Sequence, residues 1–95
     1  MQHKALMHEA EDDVAVAIVN LSKGDMVNVM TVKGIKVATL KVIENIPLGH
    51  KFSIYPIARE KDVIKYGHVI GKATKDIPKG AHIHIHNIKS ARWSK

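Results

Sequence analysis

The chain has 95 residues, enough for one domain with a modest core, and 45% hydrophobic with 25% charged residues excludes a disordered polypeptide. It has no cysteine, which excludes disulfide stapling and thiolate-bound zinc, so any metal must sit on histidine and carboxylate. The net charge of +6 invites an anionic partner. The lysines are spread along the chain and the four aromatics (Phe52, Tyr55, Tyr66, Trp93) build no basic stacking platform, which argues against nucleic acid; a solvated surface, a face for an acidic partner or attraction of a small carboxylate would use the same charge.

From Met1 to Asp13 there is no apolar run of the signal-peptide kind, and no later stretch could span a bilayer, so the cytoplasm is the expected compartment. Glu9, Glu11, Asp12 and Asp13 are expected to cap or solvate the N-terminus. The stiff Val and Ile residues then fall into short runs that predict strands at Val14–Leu21, Val27–Val32, Lys36–Val42, Lys51–Ile57, Val63–Lys65, Val69–Thr74 and Ala81–Ile88. Asp12 and Asp13 could instead cap one short helical turn, but the Val-Ala-Val-Ala alternation favours strand. The fold class expected is therefore all-β, a single domain over 1–95 with its core at about 12–88. The polar tail 89–95 is expected to be loose, with Trp93 either docking a partner or folding back.

One turn template recurs, at Leu21–Val27, Ile46–Phe52, Ile57–Val63 and Ile77–Ile83. A large aliphatic residue leads, an apolar one follows six positions later, and Gly stands three places after the first in three copies. The pattern suits a type I turn with Pro at its second corner and Gly at its fourth. Glu60 replaces Gly in one copy, which should be looser. The intervening lengths are irregular, so the similarity is read as shared turn chemistry and not as a repeat.

The chemistry concentrates at His82-Ile83-His84-Ile85-His86-Asn87. Strict alternation reads as a half-buried strand with three imidazoles on one face. Residues two apart on a strand lie about 6.5–7 Å apart, so neighbouring histidines can share a ligand while His82 and His86 cannot unless the strand bends. His50 and His68 could supply a further ligand. Phe52 shares the parity of His50, which places His50 beside the core and Lys51 on the opposite face. Lys65 could hold a carboxylate and Tyr66 could donate a proton; solvated and half-buried roles are the plainer alternatives. No catalytic triad, P-loop, dinucleotide glycine pattern or paired carboxylates are visible.

Taken in order, Asp13-Val-Ala-Val-Ala17, Pro47-Leu-Gly-His-Lys-Phe52, Val63-Ile-Lys-Tyr-Gly67, Ile70-Gly-Lys-Ala-Thr74 and His84-Ile-His-Asn87 resemble the SAF domain of altronate and galactarate dehydratases. One departure is the absence of the Asn that usually follows the first Asp. The resemblance implies a β-clip fold of short strands with tight Gly/Pro turns. It also implies a role in a hydro-lyase acting on a sugar acid, with Fe2+ or Mn2+ that the larger catalytic region could hold. A split form is known in the related sulfolactate sulfo-lyases, so the chain would be a small subunit that is inactive alone and pairs with a large one, with homo-oligomers possible when isolated. By that match His50, Lys51, Lys65, Tyr66 and His86 are the expected catalytic residues. Lys51, Lys65 and Asn87 would bind substrate, and His84 and His86 are the candidate metal ligands. The alternative is a non-catalytic SAF module that binds carbohydrate or a protein partner.

Overall fold

The computed structural model describes residues 2–8, 12–65, 67–84 and 86–90, and among them it contains nine strands and no helix. The strands are β1 (Gln2–Met7), β2 (Val14–Ala17), β3 (Met26–Thr31), β4 (Lys36–Lys41), β5 (Lys51–Ser53), β6 (Asp62–Lys65), β7 (His68–Ala73), β8 (His82–Ile83) and β9 (Ile88–Ser90). Six of them form one sheet in the order β4-β3-β1-β2-β5-β8, and β6-β7-β9 form a second. The all-β expectation holds. No helix of the described residues is long and apolar enough to cross a membrane.

Strand β2 explains the layout. Its pairing with β5 sets Ala15 opposite Phe52 and Val14 opposite Ser53. Alternation then sends Ala15 and Ala17 into one core with Phe52, Val27, Val29 and Leu40. It sends Val14 into a second core with Ile57, Val63, Ile77 and Ile83. A strand buried on both faces must be apolar throughout, which is why Val-Ala-Val-Ala sits here and why small residues alternate with larger ones.

Two segments differ from expectation at the N-terminal end. Gln2–Met7 is a strand, paired in parallel with β3 and antiparallel with β2, although its mixed polar sequence carries no strand signal. Its inward residues Ala5 and Met7 are buried, and tertiary pairing overrides the weak local preference. Asp12 and Asp13 do not solvate a terminus. Asp12 is fully buried and accepts from the Gly67 N–H at 3.0 Å, while the Asp13 carboxylate accepts from the Ile64 N–H at 2.9 Å. They fasten the second sheet to the first. At the other end Lys89 and Ser90 belong to β9, paired with Lys72 and Gly71, and not to a loose tail; Trp93 lies outside the described residues.

The recurring turns are built alike in all four copies. Leu21 exchanges both backbone hydrogen bonds with Ile46, and Ile57 does the same with Ile77, each at 2.8 Å. The residue three places on (Gly24, Gly49, Glu60, Gly80) donates its N–H to Val42, Ala17, Ala73 and Ser53 respectively, again at 2.8 Å. Those four strand-end residues donate in return to Asp25, His50, Lys61 and Ala81, at 2.9–3.0 Å. The turns thus clasp in two pairs.

Each turn closes one residue later than the sequence suggests. His50 donates to Pro47, which places Pro at the first corner and Gly49, at φ 85°, at the third. A positive φ at that corner is the type II pattern, the physical reason Gly recurs there. Glu60 is not looser: it takes φ 74° and keeps the same bonds. A side chain in the left-handed region costs roughly 1–2 kcal/mol, so Glu60→Gly is expected to stabilise the protein by about 1 kcal/mol, seen as a raised urea midpoint with unchanged slope.

Candidate active site

His50 leaves the second turn and enters β5, whose neighbour is β8, so the clasp that fixes Ala17 against His50 also aims the imidazole toward His82. The two rings meet through His50 Nδ1 and His82 Nε2, 2.9 Å apart. A hydrogen bond between two imidazole nitrogens requires one protonated and the other bare, so the pair holds one proton between them.

The predicted strand over Ala81–Ile88 stops at Ile83, and the chain turns. Asn87, only 3% exposed, causes it. Its Oδ1 accepts from the His84 N–H at 3.0 Å and its Nδ2 donates to the His82 carbonyl at 2.7 Å, while the Asn87 and Ile88 N–H groups both reach the His84 carbonyl. Local amide bonding of this kind competes with a β ladder and here wins. A straight strand would hold His82 and His86 about 13 Å apart; the bend brings their ring centroids to 5.6 Å.

Four of the seven histidines therefore gather at one place. His82 lies 5.0 Å from His50 and 5.7 Å from His84, and His50 lies 5.4 Å from His84 in a near-parallel stack. His84 and His86 are exposed; His50 and His82 are partly covered. The group is a surface cluster and not a core. A depression of about 460 Å³ elsewhere, lined by Pro56, Ile57, Ala58, Asp76, Ile77 and Pro78, contains none of these rings, and Asp76 is the one ionisable side chain in its lining.

Other predicted site residues fall away from the cluster. Lys51 pairs with Ile83 and faces opposite to Phe52 and His82. Lys65 is buried in β6 on the second sheet, where it pairs with His68 of β7, and so is not a solvated cation. His68 opens β7 in that sheet and is exposed. Asn87 spends its amide on the turn, so its contribution is to shape the histidine loop. Tyr66 lies outside the described residues. Glu44 was given no role by the sequence, since a lone Glu between strands carries no signal; its carboxylate accepts from the His82 N–H at 3.0 Å.

The iron or manganese that the resemblance implies does not fit these side chains as they stand. Among the described residues no three histidine or acidic side chains are placed to hold one ion, and the nearest pair of ring nitrogens is committed to each other. The set is suited to proton exchange and to hydrogen bonding an anion.

Burial lowers the His82 pKa below the ordinary 6.5, with the His50, His86 and His84 rings adding repulsion and Glu44 opposing them. The folded protein then resists a proton that the unfolded chain accepts, so stability is full above about pH 7 and falls as pH drops through 6.5 toward the lowered value. Thermal melts between pH 7.5 and 5 are expected to show this decline, and His82→Gln to flatten it.

The chain is a small all-β domain that presents clustered imidazoles on one open face, side chains able to exchange protons and to hydrogen bond an anion. Residues 3–91 match the altronate/galactarate dehydratase SAF domain, and the chain belongs to that family. It is 35% identical over 89 residues to (2R)-sulfolactate sulfo-lyase subunit alpha of Chromohalobacter salexigens, covering 93% of this chain and 95% of that subunit. It is 40% identical over 81 residues to altronate dehydratase of Escherichia coli and 34% over 80 residues to that of Bacillus subtilis, in each case spanning only 15% of the dehydratase. These relatives are all lyase or dehydratase components.

Proposed function

We propose that this chain is the small subunit of a two-chain lyase that eliminates water, or in a related reaction sulfite, from a hydroxy acid, and that it works in the cytoplasm. The match along nearly the whole of a protein named as subunit alpha carries this reading. The dehydratases, in which the same domain is 15% of one polypeptide, support a larger partner that supplies the rest.

Elimination of water breaks a C–H bond beside a carboxylate, sends that proton to a base, and requires an acid to protonate the departing hydroxide. The His50–His82 pair, joined nitrogen to nitrogen at 2.9 Å, would serve as that acid–base group. His84 and His86, exposed beside it, would hydrogen bond the substrate carboxylate. Any iron or manganese belongs on the larger chain, where it would stabilise the enediolate charge.

Co-expression with the larger chain tests this. Turnover of altronate, galactarate or sulfolactate is expected from the mixture and from neither chain alone. Activity of the isolated small chain, or an inactive mixture on all three acids, would overturn the reading.

A further inference from the structure

We propose that the larger chain docks over the histidines themselves, gripping an apolar rim formed by Ile18, Val19 and Leu48 on one side and Ile43 on the other. This inference rests on the two-chain reading and adds to it the face that is covered.

The rim residues are exposed large aliphatics: Leu48 at 59%, Ile18 at 42%, Val19 and Ile43 at 40%. They are not scattered. Leu48 stands in the turn that delivers His50, and its N–H is held by Asn20 Oδ1 at 2.8 Å. Gly49 and His50 bond the backbone of Ala17, so the segment bearing Ile18 and Val19 runs alongside that turn. Ile43 donates to Gly80 and precedes Glu44, which holds the His82 N–H. The two flanks thus bracket the imidazole cluster.

A lone domain gains nothing by exposing Leu48 and its neighbours, whereas apolar surface that surrounds a polar centre excludes water once a second protein covers it. The cluster would gain from such a cover, because His84 and His86 stand exposed and His50 and His82 are only partly covered by this chain. The net charge of +6 over the whole chain suits an acidic substrate or an acidic partner surface. Exposed Val32 and Ile35 offer a rival surface, but they cap the β3–β4 turn about 20 Å along β4 from the end that meets Gly80, away from the four clustered rings.

The test is association of the full-length variants with the larger chain, measured by titration calorimetry, with thermal melts to show that each variant folds. Leu48→Asp and Val19→Asp, each at an exposed position, are expected to weaken binding at least tenfold. Ile35→Asp is expected to bind like the unaltered chain. Unchanged binding by both rim variants, or loss of binding only in Ile35→Asp, overturns the docking face while leaving the two-chain reading intact. Failure of the unaltered chain to bind overturns both.

Discussion

In the two-chain enzyme, His50→Gln is expected to lower kcat by roughly 10²–10⁴-fold, the usual loss when a positioned acid–base group is removed. Glutamine is the informative replacement. Its amide can still hydrogen bond His82 Nε2, so the packing of the pair survives, but it cannot exchange a proton near neutrality. Association with the larger chain and the melting temperature should therefore hold while turnover collapses. His84→Ala and His86→Ala should act more on KM, because their rings face outward where an anion would approach. Wild-type turnover by His50→Gln, measured in the mixed enzyme, would remove the histidine pair from the reaction.

Gly80→Ala is expected to cost about 3–5 kcal/mol, a large share of the 5–15 kcal/mol that holds a domain of this kind folded. Two effects add. Gly80 has φ 84°, where any side chain is strained by roughly 1–2 kcal/mol. A Cβ there would also collide with the Lys41 carbonyl oxygen and fall 3.2 Å from Val42 Cα, backbone atoms that cannot step aside without opening the junction between β4 and the turn. Gly24 and Gly49 share the conformation but have no atom within 4 Å of the added carbon, so Gly24→Ala and Gly49→Ala should cost only the conformational part. Urea unfolding of the three variants separates the contributions: near-equal losses would show that the Lys41 contact relaxes freely.

Much of this architecture is legible in the residues, for reasons that differ by segment. β-branched runs such as Val14–Ala17 and Met26–Thr31 declare strands because burial and stiffness agree there. The turns announce themselves through Pro and Gly, but the corner each residue occupies does not, since type I and type II turns share those residue types and differ in φ. Gln2–Met7 was silent because its strand exists only through partners distant in sequence. The His82–Asn87 segment misled in a useful way. Alternation alone predicts a ribbon, and a single Asn side chain bonding backbone atoms at two points converts it into a bend. Composition marked the histidines as chemically interesting, yet His82, the ring that touches three others, owes its centrality to a fold no pairwise spacing encodes. Residue type leaves Lys65 open to a carboxylate-binding or a solvated role, and its burial in β6 removes the solvated one.

The amide of Asn87 gives the segment that carries three of the four imidazoles a mechanical property. Tied at His82 and at His84 by one planar group, the bend is fixed at two points by a single side chain. Shortening that side chain would leave the His84 N–H and the His82 carbonyl without their partners at once, so one substitution at Asn87 would unfasten the imidazoles together.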